Sequence, residues 1–415
     1  MKELPYLTSE MPGIGGRIKQ RLEDFRVEEI PLYAASGKGT HVYFKVIKAG
    51  IPTPVAVARI ARYMGARNMD IGVAGLKDSQ ALTSQWMSLE YADASKLARL
   101  RDANIRIENV TFHTNKLRIG HLTGNRFAIR IRGVGLVHLE QAQRIMDVLA
   151  RRGVPNFFGN QRFGSRGDTG TLGGLLVRRD FTQFVRVFLG MAMAVDPPDI
   201  KAARDAFDAG YYDRAMKHWP RHYTDQRHAL IAFKRRSSPV AAVAAIDKRL
   251  KRLFVSAFQS EIFNDVLTQR IQTIDTLLPG DMAQKIDNGG VFLVEDLAGE
   301  QERCRRFEIS PTGPIIGTRS TLAQAQAGQI EQAVLDEYQV KMEDFRRIGE
   351  LHSKGTRRAL RFKIESPQIR HGSDSHGAFI ELEFIAPSGC YATVLLRELM
   401  KTDVEADEPA GDDND

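Results

Sequence analysis

The chain has 415 residues, of which 43% are hydrophobic and 27% charged, with a formal net charge of +8. That length exceeds one ordinary core, so two domains are expected, and no run of about 18 apolar residues exists to span a bilayer. Cys304 and Cys390 are too few and too far apart for a disulfide framework or a zinc site, and Met1 to Gly16 shows no secretion signal, so a cytoplasmic protein is expected.

From Ile18 to Lys48 the pattern alternates, with turn residues at Ser36-Gly37-Lys38-Gly39 and a predicted strand at His41 to Val46. Thr53-Pro54 predicts a helix start, with Thr53 as N-cap and Pro54 in the first turn, and Gly65 predicts its stop. Ile71 to Ala74 reads as a short strand, Gly75-Leu76-Lys77-Asp78 as a turn, and Leu82 to Trp86 as the start of another strand. Phe127 to Ile131 predicts a strand and Leu139 to Arg151 a helix.

Helical periodicity dominates from Phe181 to Leu278, broken at Pro197-Pro198, with Val255, Phe258, Ile262 and Val266 on one face. A Gly-rich, strand-like stretch then runs through Ile316-Gly317, and a charged helical stretch from Gln329 to about Leu351. Strand signals return at Leu360 to Ile364 and Phe379 to Phe384, and a last helix is predicted from Tyr391 to Lys401. From Asp403 the tail carries seven acids and no Lys or Arg, so the body is more basic than the total implies and suits a polyanion such as nucleic acid. The tail itself is read as disordered.

Strands and helices mix without a parallel alternation, which gives α+β as the fold class. The predicted architecture is a mixed or antiparallel-sheet domain, residues 1–181 and 351–402, interrupted by a largely helical domain at 182–350 and followed by the tail at 403–415.

Five stretches resemble the D family of tRNA pseudouridine synthases. They are Glu23 to Glu29, Ala74 to Asp78 with Thr83 and Gln85, Asn156 to Gly164, Ser256 to Ser260 with Phe263-Asn264, and Gly389 to Thr393 running into Leu396-Arg397-Glu398. They span nearly the whole chain in the family's order. The resemblance implies a pseudouridine-synthase catalytic domain, an inserted family-specific domain and an isomerase that converts a uridine of tRNA, at position 13 in the D arm.

By the same resemblance, Asp78 is the nucleophile. A carboxylate can attack or stabilise the sugar while the base detaches, turns over and rejoins through carbon; whether it bonds first to sugar or base stays open. By itself the Asp78 turn also fits a residue that caps its own backbone. Lys19 matches a lysine that the family places near the site, and Arg397 a basic residue near the end of the fold, although on an ideal helix Arg397 lies about 120° from Tyr391. Tyr391 stands where the family carries an aromatic beside the flipped base, and Phe25 and Asn156 match nucleotide-contacting positions. Core aromatics and a turn asparagine are the plain alternatives. The chain departs from the family at Ser79-Gln80, at the less glycine-rich Gly164 to Asp168, and at Cys390.

The reaction implies no cofactor and no metal, with tRNA as partner and a monomer as the expected state. Two other classes compete: a non-catalytic RNA-binding protein on this scaffold, and a metal-dependent nuclease or phosphotransferase using Asp24 and Asp78. Lys234-Arg235-Arg236 and Lys248-Arg249-Lys251-Arg252 are candidate phosphate contacts, against the alternative of a solvated helix face.

Overall fold

The strand alternation read along the first half of the chain builds one sheet in the computed structural model, which describes residues 3–351 and 353–402. Its strands are β1 Phe25–Pro31, β2 His41–Ala49, β3 Gly72–Val73, β4 Leu82–Glu90, β5 Ile105–His113, β6 Leu122–Arg132, β7 Glu365–Asp374 and β8 Gly377–Pro387. They follow the order β7-β8-β6-β1-β4-β2-β5, with β3 attached to β4. β1 and β4 run parallel, whereas β6, β8, β7, β2 and β5 join antiparallel, so the sheet is mixed and the class is α+β. Segments separated by more than two hundred residues of sequence thus share one sheet.

Helix α1, Thr53–Met64, covers one part of this sheet. Its buried Ala56, Ile60 and Ala61 meet Val42, Phe44, Val46 and Met87, the inward residues of β2 and β4. Gly65 ends the helix in the left-handed conformation, as expected of a C-cap glycine. The N-terminal expectation fails by one residue: Pro52 is the N-cap, and the Thr53 side chain makes no capping bond because it is engaged elsewhere, as described below. Helix α2, Leu139–Arg152, buries Ala142, Ile145, Met146 and Leu149, and α3, Ala392–Met400, is the last helix among the described residues.

Residues Thr8–Val154 with 362 onward form one compact unit, and Met1–Leu7 with Pro155–Arg361 form the other. These boundaries differ from 181 and 351. Two physical reasons account for the shift. Helix Thr169–Arg178 packs on helix Lys248–Gln269 with almost no separation: a Cβ on Gly173 would stand 2.0 Å from the Phe254 carbonyl oxygen. At the other end, strand Thr356–Ala359 pairs antiparallel with Ile309–Ile315, which draws those residues into the second unit. The strand predicted at Leu360 to Ile364 therefore begins earlier and breaks at Leu360.

The second unit is rich in helices and holds a four-stranded sheet. Val255, Phe258, Ile262 and Val266 are all buried, as their helical spacing requires. The helical run breaks before Pro197-Pro198, as expected: helix Phe181–Leu189 ends there and Pro198 opens helix Pro198–Asp208. The charged stretch after Gln329 resolves into helix Ala325–Glu337 and a single turn at Asp344–Arg347. The acidic tail, 403–415, lies outside the described residues.

Candidate active site around Asp78

β4 is edged by two different strands on the same side. β1 pairs with it at Leu82, Thr83 and Ser84, and β3 pairs with it at Met87 and Ser88. The chain between Val73 and Leu82 therefore leaves the ladder where β3 ends and re-enters it beside β1, and the intervening loop carries Asp78. Between the two ladders the backbone N–H of Trp86 has no strand to bond. The Glu29 carboxylate fills the gap, its Oε1 accepting from Trp86 N at 3.0 Å. The other oxygen, Oε2, lies 2.9 Å from Lys77 Nζ, and both side chains are almost wholly buried. A buried charge of this kind is tolerated because it is paired.

The loop backbone is held at further points. Thr53 Oγ1 accepts from Lys77 N at 2.9 Å and donates to Gln85 Oε1 at 2.8 Å, and Gln85 Nε2 donates to the Gly75 carbonyl. Beneath the loop, Lys48 Nζ donates to the carbonyls of Ile51 at 2.6 Å and Asp78 at 2.7 Å. Lys48 is fully buried, and burial lowers its pKa to about 8, partly offset by the nearby Asp78. The result is a loop whose backbone is fixed by side chains from β2, α1 and β4, and whose Lys77 side chain is held by Glu29 of β1.

The Asp78 carboxylate points outward from this rigid base with 39% of its side chain exposed, and its Oδ2 lies 3.1 Å from Lys19 Nζ. Lys19 is only 4% exposed at its side chain, and its backbone sits in the left-handed region at φ 54°. Non-glycine residues adopt that conformation rarely, and here Lys19 turns inward beside the buried Ile18 while Arg17, Gln20 and Arg21 stay exposed. The Lys19 ammonium also stands 4.8 Å from the centre of the Phe25 ring. Phe25 itself is buried and meets Phe127 edge to face at 6.3 Å, and Phe127 stacks on Phe384. Lys19, Phe25 and Asp78 are therefore brought together, with Phe25 acting as the apolar floor under the ion pair.

Tyr391 occupies the N-cap position of α3 with extended backbone, φ −103° and ψ 121°, and Arg397 lies in the last turn. An angle measured around an ideal helix does not relate them, because Tyr391 stands outside the helix. Both belong to the sheet-bearing unit. Asn156 belongs to the other unit, where its Nδ2 donates to the Ala359 carbonyl at 2.9 Å and its Oδ1 accepts from Arg358.

Asp24 is fully buried, and Arg132 grips both of its oxygens, Nε to Oδ2 at 2.7 Å and Nη2 to Oδ1 at 2.6 Å. A metal site pairing Asp24 with Asp78 loses one of its two carboxylates to that arginine. Of the basic clusters, Lys234 pairs with Asp213, Lys248 pairs with Glu350, and Arg252 donates to the Glu350 carbonyl. Lys251 is half-buried, donates to the Val243 carbonyl, and has its pKa lowered by burial. The second run is thus less available to a polyanion than its sequence implies.

Two residues with a clear structural role were not singled out from sequence: Lys48 and Glu29. The signal for Lys48 was present. It falls in register with Val42, Phe44 and Val46, so alternation along β2 places it on the buried face.

The profile of the tRNA pseudouridine synthase D (TruD) family matches residues 2–399. The chain belongs to that family. It is 40% identical over 399 residues to the tRNA pseudouridine synthase D of Syntrophotalea carbinolica, covering 96% of this chain and 99% of that protein. The tRNA pseudouridine synthase D of Anaeromyxobacter dehalogenans strain 2CP-C is 37% identical, covering 98% and 99%. A crystal structure from Methanosarcina mazei, assigned to tRNA pseudouridine synthase D, superposes with a TM-score of 0.85 at 28% identity and covers 96% of both chains. Membership of the D family makes the protein an isomerase and gives the α+β sheet a known counterpart. Among the described residues of this family member, no helix is long and apolar enough to cross a membrane.

Proposed function

We propose that the chain isomerises a uridine of tRNA to pseudouridine, at position 13 in the D arm, with Asp78 as nucleophile and the base flipped out of its stack. The observation that carries this reading is the Lys19–Asp78 pair: a half-exposed carboxylate at 3.1 Å from a nearly buried ammonium, on a loop fixed from below. The ammonium fixes where the carboxylate oxygens point, and a carboxylate so aimed can act as a nucleophile. In the reaction the glycosidic C–N bond breaks, the uracil turns over, and a C–C bond forms in its place. The carbon that joins the sugar gives up its proton and the released nitrogen takes one, so atoms balance with no external reductant or oxidant. No cofactor or metal has a step to perform in that scheme.

Tyr391 is the proposed stacking partner of the flipped uracil, and Phe25 lies under the Lys19 ammonium. Asn156 as a nucleotide contact and Arg397 as a second cation near Asp78 rest on the family resemblance. Residues 8–154 with 362–402 are the proposed catalytic domain, working as a monomer in the cytoplasm.

The test is pseudouridine mapping of tRNA from cells with and without the gene, joined to turnover by the purified Asp78→Asn variant. Loss of pseudouridine at position 13 and an inactive variant that still binds tRNA are expected. Tight tRNA binding without conversion by the wild-type chain would instead favour the RNA-binding module.

A further inference from the structure

Two residues on either side of Lys19, the segment that delivers it to Asp78 also lines an open pocket. Its walls are Gly16, Arg17, Gln20, Arg21, Arg132, Gly133 and His376, and its volume is about 720 Å³. All of them belong to the sheet-bearing unit. Arg132 is held by Asp24 and Asp374, so its charge is neutralised. Arg17 and Arg21 are exposed, and neither guanidinium has a carboxylate partner among the described residues, although the Arg21 backbone N–H donates to Asp24. Arg21 instead abuts His376, a neighbour that cannot neutralise it. Two like cations facing one concavity without counter-charge repel each other, and an anion bound between them relieves that repulsion.

The backbone adds to this. Gly16 and Gly133 both take positive φ, 89° and 76°, and the N–H of each has no acceptor among the described residues. Gly16 is obligatory, since a Cβ there would stand 2.5 Å from Ile131. Unpaired backbone N–H groups at such turns beside guanidinium groups make an anion-binding concavity.

We infer that this pocket binds a backbone phosphodiester of the RNA immediately beside the nucleotide presented to Asp78. The inference rests on the tRNA reading above. Its position supports a flanking phosphate rather than a distant one. Arg17 and Arg21 are each two residues from Lys19, at most about 7 Å along the chain, and Lys19 touches Asp78. A base delivered to Asp78 carries its own phosphates within that reach. One short segment does both jobs because the consecutive Ile18 and Lys19, the latter in its left-handed conformation, turn inward, while Arg17 and Arg21 stay outside.

The experiment measures tRNA affinity on an Asp78→Asn background, so the readout is binding and does not depend on whether the chain converts uridine. Three proteins are compared across a salt series: the background, R17A/R21A added to it, and R305A/R306A added to it. The last removes the same net charge from exposed arginines of the other unit. The expected result is a loss of about 10- to 100-fold in affinity for R17A/R21A and a salt slope shallower by about one to two. The control pair loses less than about threefold. Equal losses in both pairs would mean net charge alone and would overturn the inference, as would unchanged affinity in R17A/R21A. Inorganic phosphate binding to the background protein and not to R17A/R21A, with tRNA affinity unaltered, would make the pocket a free-phosphate site and overturn the RNA assignment. R17K/R21K guards against misfolding: it keeps the charges, so it retains the salt slope if the pocket acts as inferred.

Discussion

Lys48 Nζ donates to the backbone carbonyl of Asp78 at 2.7 Å from beneath the sheet surface, while Lys19 Nζ meets the carboxylate of the same residue at 3.1 Å from above. One lysine fixes where the aspartate is, and the other fixes what its side chain does. The two roles predict different consequences when each is removed.

Lys19→Met keeps the length of the side chain and its packing on Phe25 but removes the ammonium. The fold is expected to survive with a loss below about 1 kcal/mol, since the partner carboxylate remains partly solvated. Pseudouridine formation is expected to fall at least tenfold, with the larger share of the loss in kcat. Wild-type turnover by this variant would remove Lys19 from the site.

Lys48→Met leaves the carbonyls of Ile51 and Asp78 without their donor in a buried place, which costs about 1–3 kcal/mol each when uncompensated. Lowered stability and lost activity are expected together, unlike Lys19→Met. The pH dependence has a definite sign. With its pKa lowered from 10.5 to about 8, Lys48 releases its proton earlier in the folded state than in the unfolded one. Between those values the unfolded chain binds more protons, so this group's contribution to stability rises with pH, by at most about 1.4 kcal/mol per unit. Urea unfolding of wild type and Lys48→Met at pH 7.5 and 10 measures it. A difference between the two proteins that does not change with pH would refute the burial argument.

Gly173→Ala puts a methyl group where only 2.0 Å separates the site from the Phe254 carbonyl oxygen. Forcing the two helices apart is expected to cost about 1–3 kcal/mol or more. Gly135→Ala, with open space at its Cβ, serves as the neutral comparison. Thermal unfolding of both variants reads the contrast.

Neutralising Lys234, Arg235 and Arg236 together is expected to weaken tRNA binding more than neutralising Lys248, Lys251 and Arg252. The first cluster lies on the last turn of helix Thr224–Arg236 with Arg235 and Arg236 exposed, whereas the second set is already bonded to Glu350 and Val243. Equal effects, or none, in a titration at several salt concentrations would show that those existing bonds do not govern availability.

Much of this was legible in the chain itself. Period-two alternation marked β2, β4, β6 and β8, because a half-buried strand must alternate whatever it pairs with. The face through Val255, Phe258, Ile262 and Val266 was equally plain, since helical spacing aligns those residues before any partner is known. Motif order along the sequence pointed to the family, and the turn at Gly75 to Asp78 stood out by its residue types. Tertiary structure decided the rest. Sequence could not say that Thr53 would bond the Lys77 backbone instead of capping its own helix, because both uses suit a hydroxyl and only the neighbouring loop selects between them. Nor could it place the unit boundary at 154 and 361, which depends on Gly173 meeting a distant helix and on a strand finding its pair. The approach of Lys19 to Asp78 across 59 residues is likewise a product of the fold: local pattern fixes which way a side chain faces, and only packing fixes what it meets.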